Sequence, residues 1–247
     1  MLENFLKDKT MKKILLFTLL AVFGFAAQLK VAAAANLSFV LNEIKDEFIK
    51  THPNDEISIT FGSSGKLVSQ IKNGALYDVF LSADMGFSDA LIKDNFSADK
   101  TSAVYAKGKV AMFSARGFEV CSDLKCLKNP KIKSIIIANP KLAPYGKASE
   151  QAFKNAGVYE DIKDKIIKAG SIGEALSQSL SAGDVGFVAL SALKSEKLKE
   201  WQNAYKAVDS SLYEPISQGM IKLKNSQNSE LAKRFYNFIL IQENRLN

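Results

Sequence analysis

Residues 57–72 run from an apolar, β-branched segment through a glycine-flanked serine pair directly into a helix-forming segment, and no other feature constrains the chain as much. Ile57-Ser58-Ile59-Thr60 reads as a strand, Phe61-Gly62-Ser63-Ser64-Gly65-Lys66-Leu67 as a tight turn, and Val68-Ser69-Gln70-Ile71-Lys72 as a helix. Two hydroxyls and several free backbone N–H groups then meet at a helix N-terminus, the arrangement that holds an anion. A nucleotide-binding P-loop needs four residues between its glycines and Ser or Thr after its lysine. Here two residues separate Gly62 from Gly65, and Leu67 follows Lys66. The turn predicts a small anion and not a nucleotide.

The same strand-to-helix rhythm recurs along the chain. Strand-length apolar runs lie at Leu29 to Ala33, Asp78 to Ser82, Lys109 to Ser114, Ser134 to Ala138, Val185 to Ala189 and Met220 to Leu223. Helical spacing appears from Leu37 to Lys50, with Leu37, Leu41, Ile44 and Phe48 on one face, and again at Ala148 to Asn155, Glu174 to Ser181 and Ser229 to Ile241. Alternating strand and helix predict an α/β chain whose sheets are largely parallel and covered on both faces. With 47% hydrophobic residues, the chain can bury one large core or two modest ones. The pattern divides it into a first lobe of residues 27–107 plus 209–247 and a second of 108–208. Residues 117–133 read as an irregular surface connection on the second lobe.

The N-terminus predicts export. Met11-Lys12-Lys13 is a basic start, Ile14 to Phe25 an apolar core of signal-peptide length, and Gly24-Phe25-Ala26-Ala27 a cleavage region of small residues. Residues 1–26 are therefore expected to be an upstream extension and secretory signal, with Met11 as the start and cleavage after Ala26; an N-terminal membrane anchor is the alternative. Those residues hold four lysines and two acidic groups, so the remainder carries 29 basic against 24 acidic groups, net +5. That mild, dispersed charge favours the arrival of anions without supplying the basic stripe of a nucleic-acid binder. Cys121 and Cys126, the only cysteines, predict a small disulfide loop in an exported chain, free thiols being the alternative. His52, the one histidine, sits in Thr51-His52-Pro53 and reads as an exposed turn residue, which leaves no metal-ligand set. Asp78 and Asp84 read as capping and loop-bonding carboxylates.

Four loops share the chemistry of the serine turn. The first strand ends in Ala32-Ala33-Ala34-Ala35-Asn36, where small side chains admit a ligand and Asn36 serves as a donor or as an ordinary helix cap. The second loop is the turn at Gly62 to Lys66. The third, Asn139 to Gly146, brings the N–H groups of Tyr145 and Gly146 to a helix start, or is simply a rigid connection. The fourth is Gly170-Ser171-Ile172-Gly173. Two such loops per lobe place a ligand in the crevice beyond the carboxyl ends of the strands. A serine hydrolase reading lacks a Gly-x-Ser-x-Gly elbow and a well-placed histidine.

Ala33-Ala34-Ala35-Asn36-Leu37, Phe61-Gly62-Ser63-Ser64-Gly65, Asp78-Val79-Phe80-Leu81-Ser82-Ala83-Asp84 and Pro144-Tyr145-Gly146 occur in this order along the chain. Together they resemble the periplasmic molybdate-binding proteins of ABC transporters, over residues 29 to 240. The resemblance implies a two-lobed, type II periplasmic binding fold, each lobe a mostly parallel sheet flanked by helices, with the ligand cleft between lobes. It implies a monomer that binds molybdate, and tungstate as well, and passes it to a membrane permease, with no cofactor, no nucleic acid and no catalysis. Sulfate or another small oxyanion is the alternative ligand. The implied contacts are Asn36, Ser64 and the backbone N–H groups of Tyr145 and Ile172, supported by Ala35, Ser63 and Gly65. Many members place a ligand-contacting tyrosine where Val188-Ala189-Leu190 stands here, so that phenol is missing from the implied set.

Overall fold

The computed structural model describes residues 28–242, so the signal-peptide reading of residues 1–26 lies outside the described residues. In chain order the strands are β1 (Gln28–Ala34), β2 (Glu56–Gly62), β3 (Val79–Leu81), β4 (Ala103–Gly108), β5 (Val110–Phe113), β6 (Ile135–Ala138), β7 (Ile166–Ala169), β8 (Val185–Ala189), β9 (Tyr205–Ala207) and β10 (Ile216–Lys222). The helices are α1 (Val40–Thr51), α2 (Ser64–Lys72), α3 (Met85–Lys93), α4 (Pro144–Asn155), α5 (Tyr159–Ile162), α6 (Ile172–Ser181), α7 (Leu190–Leu193) and α8 (Ser229–Leu240).

Two five-stranded sheets result, ordered β2-β1-β3-β10-β4 and β7-β6-β8-β5-β9. The two orders are the same pattern. In each, four strands run the same way and one, β10 or β5, runs against them between the third parallel strand and the edge strand, and that reversed strand crosses in from the other lobe's sequence neighbourhood. The chain passes between sheets at Lys109 and again over residues 208–215.

Strand periodicity explains the covered faces. Leu29, Val31 and Ala33 of β1 and Val79 and Leu81 of β3 face one cluster, with α1 and α8, while Ala32 and Phe80 face the other, with α2. In the second sheet Val110 and Met112 of β5 point one way, and Ala111 and Phe113 the other. Each buried Leu, Ile or Phe contributes roughly 1.5–3 kcal/mol of apolar transfer, which holds the sheets between their helices.

Two buried aspartates occupy equivalent places, each just before the third parallel strand of its sheet. Asp78 accepts from the Lys30 N–H at 2.7 Å and the Ser226 hydroxyl at 2.7 Å. Asp184 accepts from the Lys133 N–H at 2.7 Å, the Ser134 N–H at 3.1 Å and Arg116 at 2.9 Å. Both tie strand starts together at the end of the sheet opposite the site, a structural role, as expected of Asp78.

Two expectations need correction. Asn36 is not a helix cap, because residues 35–37 form a short 3-10 turn and α1 begins at Val40 with Phe39 before it. The segment 117–133 is not merely a surface connection. A 3-10 turn at Lys125–Lys128 buries Leu124 and Leu127, with Ile132 beyond it, against the second sheet, because its apolar residues recur at the three-residue period of that turn. Cys121 and Cys126 are joined within it, with Cα atoms 6.2 Å apart.

Candidate functional site

Every loop singled out from the sequence leaves the carboxyl end of a parallel strand. The turn at 35–37 follows β1, Ser63 and Ser64 follow β2, the loop 139–143 follows β6, and Gly170-Ser171 follows β7. β1 lies between β2 and β3, and β6 between β7 and β8, so the direction of strand succession reverses at both. Such switch points leave a crevice beside the strand ends, and here two crevices face each other.

The cleft is shut. The Gly65 N–H at the start of α2 donates to the Leu142 carbonyl of the opposite lobe at 3.0 Å. Ala34, Ala35, Ala83, Tyr145 and Ile172 belong to one continuous apolar cluster, which brings both lobes into contact. A cavity of about 10 Å³ remains between Ala35, Asn36 and Phe39 on one side and Ile172, Gly173 and Leu176 on the other. That is room for about one water molecule. Ala189 also lines it.

The polar groups at this junction are short of partners. Asn36 is 3% exposed; its Nδ2 lies 2.8 Å from Gln218 Oε1, and its Oδ1 has no partner among the described residues. Ser63 precedes α2 as its N-cap residue, yet its hydroxyl is buried without a partner, and α2 has no side-chain cap. Ser64 Oγ accepts the Ala83 N–H at 3.0 Å, which occupies a lone pair and leaves its own proton to point elsewhere. On the other lobe, α4 starts after Ala143 with no side-chain cap and with Pro144 in its first turn. Proline gives up an N–H that a helix start cannot use, so Tyr145 supplies an early donor. α6 is better finished, because Ser171 Oγ accepts the Glu174 N–H at 3.2 Å and Glu174 accepts the Gly170 N–H at 2.8 Å. Ile172, at its first turn, still presents an N–H without an intrahelical acceptor.

Lys66 and Lys147 are exposed; the Lys66 Nζ lies beside the fourth loop, 2.9 Å from where a Cβ on Gly170 would stand, and Lys147 is paired with Glu214 at 3.0 Å. Among the described residues no three His, Cys, Asp or Glu side chains gather as a metal site. Asp84, the other tempting acid, accepts the Phe87 N–H at 3.0 Å as the cap of α3; burial pushes its carboxyl up and that N–H pulls it back. His52 stacks on Phe48 at the end of α1.

The structure thus brings Asn36 and Ile172 to one small cavity, links Tyr145 to Asn36 through Gln218, and links Ser64 to the cluster of Tyr145 and Ile172 through Ala83. Sequence reasoning missed three participants. Ala83 was legible only as part of a turn motif, and its N–H orients Ser64. Gln218 and Tyr105 are buried and bonded to each other at 3.0 Å, with Gln218 also reaching Asn36. The one sequence signal for Gln218 is a long polar side chain inside the apolar run Ile216 to Lys222.

A family described as bacterial extracellular solute-binding protein matches residues 29–245. The chain belongs to that family. Among similar solute-binding proteins, Molybdate-binding protein ModA of Azotobacter vinelandii is 34% identical over 90% of this chain and 87% of its own length. Molybdate-binding protein ModA of Rhodobacter capsulatus is 30% identical over 91% and 87%. The solved Azotobacter vinelandii periplasmic molybdate-binding protein superposes with a TM-score of 0.80 at 33% identity, covering 85% of this chain and 92% of that one. The sulfate-binding protein SubI of Mycobacterium tuberculosis H37Rv, at 14% identity and a TM-score of 0.65, shares the fold alone.

Proposed function

We propose that this solute-binding protein captures molybdate, and tungstate with it, between its two lobes and delivers it to the membrane permease of an ABC importer. The anion contacts are Asn36, the Ser64 hydroxyl and the N–H groups of Tyr145 and Ile172, with Ala35, Ser63 and Gly65 shaping the first lobe's side. The observation that carries this reading is a pair of buried helix starts, α2 and α4, that touch through Gly65 and Leu142 and have no side-chain caps. Buried helix starts need an acceptor, and a tetrahedral oxyanion caps several at once. The molybdate-binding proteins among its relatives support molybdate over sulfate. The protein acts as an exported monomer in the periplasm and turns over no substrate. The lobes, residues 27–107 plus 209–247 and residues 108–208, part about the two crossings to admit the anion and close on it.

The test is ligand-linked stability. At a ligand concentration of 100 Kd, a one-site ligand stabilises the folded state by about 2.7 kcal/mol. Molybdate and tungstate are each expected to raise the melting temperature by several degrees, and sulfate not to. A shift with sulfate alone would replace molybdate as the ligand, and no shift with any oxyanion would end the anion reading.

A donor-only site has a second signature. Ser64→Ala is expected to weaken molybdate binding by roughly 1.5–3 kcal/mol, the range for a hydrogen bond to a charged group. Lys66→Ala should cost less than about tenfold, because an exposed ammonium acts only through a screened field. Calorimetric titration of both variants ranks them, and a larger loss for Lys66→Ala would mean that a cation holds the anion.

A further inference from the structure

Four buried side chains from four separate stretches of chain meet below the cleft: Asn36, Tyr105, Tyr145 and Gln218. A shift in register between Gln218 and Gly219, where β10 pairs with β4, turns the Gln218 side chain into this group. Its Oε1 position is 2.8 Å from Asn36 Nδ2 and 3.0 Å from the Tyr105 hydroxyl, and its Nε2 position is 3.4 Å from the Tyr145 hydroxyl. The Tyr105 hydroxyl is also 2.9 Å from the Ser82 carbonyl.

Proton counting decides the orientation of these amides. A phenol has one proton, and burial raises the pKa of both Tyr105 and Tyr145, so each keeps it. The Ser82 carbonyl can only accept, so the Tyr105 proton goes there. Whatever faces Tyr105 from Gln218 must then donate, which puts the Gln218 NH2 group toward both Tyr105 and Asn36. An amide exchanges its oxygen and nitrogen by a half turn with almost no change of shape. Asn36 turns likewise, offering Oδ1 to Gln218. The Tyr145 proton then goes to the Gln218 oxygen. Every buried polar group of the four has a partner except the Asn36 NH2, which now stands with both its N–H bonds where the unpaired oxygen stood.

Building on the molybdate reading, we propose that Gln218 is a positioning residue that sets Asn36 as a donor toward the anion, and that it ties this setting to Tyr145 on the opposite lobe. An acceptor at that position would repel an oxyanion, whereas a buried donor with no other partner favours one. Gln218 thereby makes the polarity of the site depend on a residue that does not touch the ligand. The ionisable groups around it are the phenols of Tyr105 and Tyr145, with Asp84 acting on Tyr105 and Tyr213 on Tyr145 from farther away.

The test has two arms on the full chain. In the ligand-free wild type, NMR through-bond coupling across the hydrogen bond is expected from Gln218 Nε2 to the Asn36 side-chain carbonyl; coupling from Asn36 Nδ2 to the Gln218 carbonyl overturns the proposal whatever the protein binds. In the second arm, molybdate affinity is measured from pH 6 to 9 for wild type, Gln218→Glu and Gln218→Met. A protonated glutamic acid can still donate to Asn36, whereas the carboxylate can only accept and turns Asn36 round. Gln218→Glu is therefore expected to lose affinity at least about tenfold more than wild type as the pH rises, and Gln218→Met to show a loss that does not vary with pH. Melting temperatures of the ligand-free variants separate misfolding from mispositioning. If wild type binds molybdate and Gln218→Glu follows its pH profile, the positioning role is wrong while the molybdate reading stands. If wild type binds no oxyanion, the molybdate reading fails and the coupling arm alone judges Gln218.

Discussion

Asn36→Asp is expected to weaken molybdate binding by about a thousandfold or more. The side chain is buried and holds the one polar atom of its network that faces no protein partner. A carboxylate there would stand at contact distance from a dianion. One unit-charge pair at 4 Å repels by about 4 kcal/mol at the effective dielectric typical of protein sites, which is roughly three orders of magnitude in affinity. The ligand-free variant should stay folded, because one carboxylate oxygen can still accept from Gln218 at the spacing that Asn36 now keeps, 2.8 Å. Calorimetric titration with molybdate, beside a melting curve of the ligand-free protein, checks both halves. Binding within tenfold of wild type would remove Asn36 from the anion's contacts.

Gly146→Ala is expected to destabilise the fold by about 3 kcal/mol, the upper part of the usual range for overpacking. A Cβ at residue 146 would lie 2.2 Å from the Ala138 carbonyl oxygen and 2.7 Å from its carbon. Both atoms are backbone at the end of β6, so no side chain can swing aside and the start of α4 must lift. For a chain of this size the melting temperature should fall by roughly 6–12 °C. Molybdate affinity should fall with it, since Tyr145 rides on the same turn. Gly86→Ala is the control. Its added Cβ makes an ordinary contact, 3.7 Å from Asp84 Oδ1, and alanine favours the helix. Equal melting temperatures for Gly146→Ala and wild type would show that α4 does not depend on this close approach.

The loops of the candidate site were legible because each is a local event. β-branched alternation, a run of small or hydroxyl residues and a helical period follow one another within about fifteen residues at 57–72, and the same succession recurs elsewhere. The two-lobed α/β architecture followed from repeating that unit, and the buried faces of β1, β3 and α1 match their periods. What the periods could not convey is strand partnership. The antiparallel pairings of each sheet arise because β5 and β10 each join the sheet from a distant part of the chain, and β4, β7 and β9 are too short or too polar to announce themselves.

Asn36 marks the boundary between the two kinds of knowledge. Its residue type and place after a small-residue run made it a candidate donor, but its sequence neighbours suggested a cap that it does not form. The side chain is claimed by Gln218, 182 residues away, while Tyr105 reaches Gln218 across 113 residues and Ser64 is oriented by the N–H of Ala83 across 19. Composition and periodicity report how each residue meets the nearest turn of its own backbone. The polarity of a buried amide, the closing of one lobe on the other and the absence of a cap at a helix start depend on which distant groups share a low-dielectric volume, and only the folded chain brings those groups together.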